Sequence, residues 1–385
     1  MQPITQSTAN DQLLYFTSTS LSTDDRHLVF ISDRDGNPNL YTRDLASGQE
    51  RAVTAIRDGI LKSYVYFDGT PYRGFGKASV SFDPERRVLY YLHGRNLCRA
   101  DLEGHIRVLA ELPAGQMTAF THVSADGRRL CVPTVDARAL DDDARLAGQP
   151  EYDIDQRVRE EGLSSWLRVF DTESGDELLA ERVAGGWVTH VQFSPRDADV
   201  ILYNHEWSSD GGIRRMWLWD GRTHRQLRTE GQGRSRADWT CHEMWSPEGS
   251  AVIYHGSYAG GEPRRSYLGR VEVDSGRTME IAFARDFTKY GHFIIGPNGR
   301  LVSDGYYRQA TDAEPASFGG DWISLIDADW SAGALRWTPL CRHGSSWSSQ
   351  DAHPHPIFNH RGDRIYFTSD RDGRRRIYAV AAAQG

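Results

Sequence analysis

Apolar residues along this chain come in short bursts set between polar positions and closed by turns. Near the end, Arg364-Ile365-Tyr366-Phe367-Thr368 is such a burst, and Asp370-Arg371-Asp372-Gly373 follows as a turn. A burst of this length bounded by Gly, Asp and Ser predicts a strand and a hairpin rather than a helix. The same unit recurs: a short strand, a turn of the Ser-Pro-x-Gly kind, an apolar strand, a second turn and a further strand. Copies begin at Leu21, Ser81, Val123, Gln192, Met244, Ile294 and Ile357, which makes seven.

A small sheet of this kind buries neither face by itself, whereas radial stacking against copies of itself buries both and protects the edges. The pattern therefore predicts an all-β chain, a seven-bladed β-propeller formed as one domain over residues 1–385. One segment breaks the rhythm. From Asp136 to Asp171 the residues are acidic and helix-permissive, and they predict a short helical insertion in the third blade, over about 136–165, that caps or lines a cleft.

Composition fits a globular core, with 39% hydrophobic residues and 11 Trp, 17 Tyr and 14 Phe. A net charge of −8 argues against a general nucleic-acid binder, though not against a local basic patch for an anion. No basic n-region precedes an apolar stretch, and no apolar run approaches the length of a membrane span. The expectation is a cytoplasmic protein without membrane or nucleic-acid partners, of unassigned oligomeric state. Cys98, Cys131, Cys241 and Cys341 show no CxxC spacing and read as free thiols.

Alignment of the copies on their turns brings out a histidine phase. His190, His242, His292 and His355 each stand four residues before the Ser, Gly or Asn that opens the turn. The earlier units carry Ser18, Ser79 and Phe120 there. In a propeller this position begins the innermost strand, so four imidazoles are expected at one mouth of the central channel. His353 and Gln350 lie close by in the sequence. Three neutral imidazoles, His292, His353 and His355, with the amide oxygen of Gln350, make a donor set for a divalent transition metal. No acidic residue is among the four, so the ion keeps its charge for a substrate carboxylate.

These stretches resemble the oligogalacturonate lyases, cytoplasmic propeller enzymes of pectin breakdown with a manganese site. The likeness lies in "QDAHPHPIF" from Gln350, "CHEMWSPEGSAVIY" from Cys241, "RMWLW" from Arg215, "HEW" from His205, "GHFIIGPNGRLVSDG" from Gly291 and "SSW" from Ser345. It implies Mn2+ or another divalent transition metal on His292, Gln350, His353 and His355, with His242 as catalytic base and Arg215 as the arginine that stabilises the transition state. It also implies a short uronate oligosaccharide as substrate, cleaved by β-elimination. His190, His205 and Arg234 are further candidates for substrate contact. Three other readings compete: a propeller that only binds partners, a peptidase suggested by "GSYAGG" at Gly256 to Gly261, and a lyase acting on another uronic-acid oligosaccharide. The second lacks the strand-to-helix elbow and hydrolase sheet that such a serine motif needs.

Overall fold

Each burst-turn-burst unit forms a small antiparallel sheet. The computed structural model describes residues 1–5, 7–57, 77–139, 151–206, 215–228, 239–258, 266–283, 287–289, 291–307 and 320–382. Among them seven sheets follow one another along the chain, spanning 11–52, 81–111, 116–184, 191–226, 239–282, 287–342 and 357–381. The architecture is the expected seven-bladed β-propeller.

The core lies between the blades. Val29, Ile31 and Leu40 of the first sheet pack against Phe82, Leu89, Tyr91 and Ala100 of the second. Likewise Leu202, Met216 and Leu218 of the fourth meet Trp245, Val252, Tyr254 and Tyr267 of the fifth. Each sheet thus buries both faces only because its neighbours are present, which is the physical reason for the repeat. Three strands make up the seventh sheet. The N-terminal residues complete it, since Pro3 bridges Tyr378 and the Ile4 N–H donates to the Ile377 carbonyl at 2.7 Å. This contact ties the first blade to the last and closes the ring.

The insertion in the third blade lies between two of its strands. Asp136 ends the strand Arg129–Asp136, the helix runs Glu151–Glu160, and Ser164–Asp171 is already the next blade strand. Ile154 and Val158, one helical turn apart, are buried against Met117, Val135, Ala139, Leu163 and Trp187. Trp187 lies just ahead of His190, so the helix is docked beside the mouth where the histidines begin. All four cysteines are free, three of them buried and Cys341 half-buried. Among the described residues no helix is long and apolar enough to cross a membrane.

Candidate metal centre and active site

The inner strands converge their histidines as their phase implies. His292, His353 and His355 have ligand atoms that all lie within 4.8 Å of one another. The ring of His242 stands 4.6 Å from that of His292, and the ring of His355 lies 4.1 Å from it. Tyr15 and Phe16, from the first blade, fill the channel among them: Phe16 touches His242, His292 and His355, and Tyr15 touches His190 and His355. Trp347 stacks near His292 and packs at 4.5 Å on His353.

His355 is 2% exposed and His353 half-buried. His355 also carries a left-handed backbone, φ +43°, although it precedes Pro356. A residue before proline normally sits in the extended region. Here the strained backbone aims the ring inward, an arrangement that persists only where the surroundings over-determine it. Among the described residues neither ring nitrogen of His355 has a hydrogen-bond partner. Leaving such a buried group unsatisfied costs about 1–3 kcal/mol, and a cation bound by the cluster removes that penalty.

Asp304 stands behind His292. The register Phe293↔Ser303 brings the two residues opposite each other. The His292 N–H donates to Asp304 Oδ1 at 2.6 Å, and its Nδ1 lies 2.9 Å from Oδ2. Burial opposes the charge of this carboxyl, yet His292 beside it holds it below its ordinary range. The pairing fixes the hydrogen on Nδ1 and leaves Nε2 as the ligand atom, the usual arrangement behind a metal-bound imidazole. The His355 N–H also donates to Asp304, at 3.1 Å, so one carboxylate braces two of the three imidazoles. Gln350 begins the short 3₁₀ turn Gln350–Ala352 that leads into His353. Asp351 in that turn lies 3.9 Å from buried Lys77 and 3.7 Å from Arg375. Burial pushes the Lys77 ammonium down to about 8, against the pull of Asp351.

Arg215 is not the solvated strand-end charge its neighbour Arg214 suggests. It is buried between two buried glutamates: Nε donates to Glu243 at 2.8 Å and Nη1 to Glu206 at 3.0 Å. Burial disfavours the guanidinium charge, but the facing Cys241, Glu206 and Glu243 outweigh it. Glu206 in turn reaches His190, whose Nδ1 is 3.5 Å from Oε2 and whose Nε2 lies 3.3 Å from the Tyr15 hydroxyl. The His190 ring stacks on Phe120 at 4.6 Å.

Two tentative candidates fare differently. His205 packs on Tyr203 and Trp217, and among the described residues no ring contact or hydrogen bond links it to the three-histidine cluster. A Cβ on Gly186 would stand 1.8 Å from its Nδ1, so this glycine is what admits the ring. Arg234 lies outside the described residues. The sequence reading did not single out Asp304, Glu243, Lys77, Tyr15 or Phe16. Asp304 alone carried a signal, as the residue opposite His292 across a predicted turn.

His242 lies in a bulge. In the strand Trp239–Trp245, Cys241 pairs with His255 and Met244 with Ile253, so His242 and Glu243 together oppose Tyr254. His242 has φ +52°, and its Nδ1 meets His255 Nε2 at 2.6 Å. Burial first, then the nearby His292, His255 and Arg215, hold its pKa well below the ordinary histidine value. At neutral pH the ring is uncharged and able to accept a proton.

The buried imidazoles also predict how stability responds to acid. Burial lowers His122 and His205 to about 4 and His255 to about 3. An unfolded histidine takes up a proton near pH 6.5, so unfolding binds protons below that pH and stability rises with pH there. The contribution is complete above about 6.5 and is lost as pH falls toward 4. Melting temperatures of chelator-treated protein are expected to level off above this point and drop steadily below it. A melting temperature that stays constant down to pH 5 contradicts the burial of these rings.

Comparison with known proteins gives a consistent picture. The sequence pattern of a family described as oligogalacturonate lyase matches residues 62–384. An oligogalacturonide lyase of Pectobacterium atrosepticum is 29% identical, over 94% of this chain and 88% of that protein. An oligogalacturonate lyase of Dickeya dadantii is 26% identical with the same coverage. A solved oligogalacturonate lyase in complex with manganese superposes with a TM-score of 0.77 at 22% identity, covering 99% of this chain and 93% of that one. At that identity the superposition speaks for the fold.

Proposed function

The chain belongs to the oligogalacturonate lyase family, whose pattern spans residues 62–384, and on that premise we propose that it cleaves short oligogalacturonides by metal-assisted β-elimination. The observation that carries the proposal is three imidazoles with ligand atoms within 4.8 Å of one another, set beside a buried, neutral fourth. His292, His353 and His355, with the amide of Gln350, hold Mn2+ or another divalent transition ion. The donor set fits, since imidazole nitrogens and an amide oxygen without a carboxylate leave the ion its full charge. Such an ion supplies a fixed positive charge for a uronate carboxylate and acidifies the C5 proton beside it.

The protein's own groups do the rest. His242 takes the C5 proton. The electrons of that C–H bond form the C4=C5 double bond, the C4–O bond breaks, and the departing oxygen is protonated. Arg215 has three of its five N–H groups engaged by Glu206 and Glu243. The remaining two face developing charge on the substrate as a permanent cation. Because both glutamates hold the guanidinium in place, it needs little reorganisation as charge builds up. His190, tied to Glu206 and Tyr15, is a further candidate for contact with the sugar.

Incubation with digalacturonate and manganese, followed by ultraviolet absorbance of the conjugated 4,5-ene, tests the reading. Absence of the chromophore in metal-loaded protein refutes it. Substrate size follows from the closed channel and from the helix Glu151–Glu160 docked beside Trp187. An enzyme working in the cytoplasm, on what transporters deliver, meets chain ends rather than polymer. Dimers and trimers are expected to be turned over, with polymeric pectate a poor substrate. Equal rates per bond on dimer and polymer contradict this.

A further inference from the structure

The proposed base has a ring partner for which the reaction scheme has no use. His255 lies in the strand Ala251–Ser257, its side chain is buried, and its Nε2 is 2.6 Å from Nδ1 of His242. Phe293 packs on the His255 ring at 4.5 Å between centroids and limits its rotation. The contact depends on the bulge. Two residues, His242 and Glu243, stand where one would continue the ladder, and the left-handed backbone at His242 aims its ring at His255. A strained backbone of this kind persists only where the surroundings over-determine it, and here it holds the ring against His255, His292 and Phe16.

Two neutral imidazoles at this distance share one hydrogen, so either His242 donates from Nδ1 or His255 donates from Nε2. If His255 donated, His242 would carry its own hydrogen on Nε2 and have no lone pair left for a substrate proton. We infer that His255 is a positioning residue for the base: its Nε2 accepts the Nδ1–H of His242 and so keeps the His242 Nε2 lone pair free. This inference rests on His242 being the base.

The partner's neutrality matters as well. A carboxylate in that place, as in an Asp-His pair, would strongly stabilise the imidazolium formed on proton abstraction. A neutral imidazole accepts the same hydrogen bond and orients the base without placing a charge beside it.

The test uses metal-loaded protein and digalacturonate. His255→Phe keeps the ring shape but removes the acceptor, and kcat is expected to fall on the order of the 10–100-fold that loss of such a ring partner costs, with KM and metal content unchanged. His255→Gln sets an amide oxygen near the position of Nε2 and is expected to recover most of the loss. His255→Asn is too short to reach His242 and is expected to lose as much as the Phe variant, which keeps the test open if His255→Phe fails to fold. In a His242→Ala background, His255→Phe is expected to cause no further loss, because the residue acts only through the base. Wild-type kcat in the Phe and Asn variants overturns the inference. So does a Gln variant no better than Asn, or an equal further loss in the His242→Ala background. If His242→Ala itself keeps wild-type kcat, the base assignment falls, and that result is distinct from failure at His255.

Discussion

Replacing His353 or His355 with alanine is expected to abolish both metal retention and lyase activity while the propeller stays folded. Their ring nitrogens, with those of His292, form the one cluster of three ligand groups found among the described residues. Losing one of three imidazoles leaves too few donors to hold a divalent ion. Activity is expected to fall at least the 10²–10³-fold seen when one electrostatic stabiliser is removed, since the ion bears the substrate's charge. Folding is insensitive because the core lies in the interfaces between blades, such as the contact of Leu202, Met216 and Leu218 with Trp245 and Tyr254, away from the channel mouth. Elemental analysis, the ultraviolet assay and circular dichroism melts together decide it. A variant with full activity and no bound metal removes the metal from the mechanism.

His242→Ala has the second large effect. Loss of a general base typically lowers kcat by roughly 10²–10⁴-fold, and metal content is expected to stay at the wild-type level because His242 lies outside the ligand cluster. The pH profile separates this base from Arg215. A histidine held well below its ordinary value by burial and by His292 is already neutral at pH 6.5, so activity is expected to be level across neutral pH. It falls only as acid protonates the ring, below the usual histidine range. A guanidine acting as base would instead give rates that climb into strongly alkaline solution. Loss of metal together with activity in His242→Ala would make His242 a ligand rather than the base.

Some of the site was legible beforehand because it is written in phase. The four histidines stand at one offset from the turns, and a propeller carries that offset to one level of its channel. The character of Arg215 was not legible. As a charged residue next to Arg214 at a strand end, it looks solvated until Glu206 and Glu243 are seen on either side of it. The surroundings of His205 were not legible either: its ring packs on Tyr203 and Trp217, in space that Gly186 leaves open.

The sequence by itself determined the strands, the sevenfold repeat and the residue types offered at the channel mouth. Each of these follows from local rules: apolar bursts of strand length, turn chemistry and a fixed spacing. Only the tertiary structure decided which atoms meet. Asp304 braces His292 through strand register, and His255 reaches His242 through a bulge. Lys77 faces Asp351 across the closure of the ring, and Tyr15 and Phe16 fill the channel that the other blades leave at the centre. The first two join neighbouring strands of one sheet and depend on register and on a bulge, whereas the others join residues hundreds of positions apart and exist only once the blades have stacked around the channel.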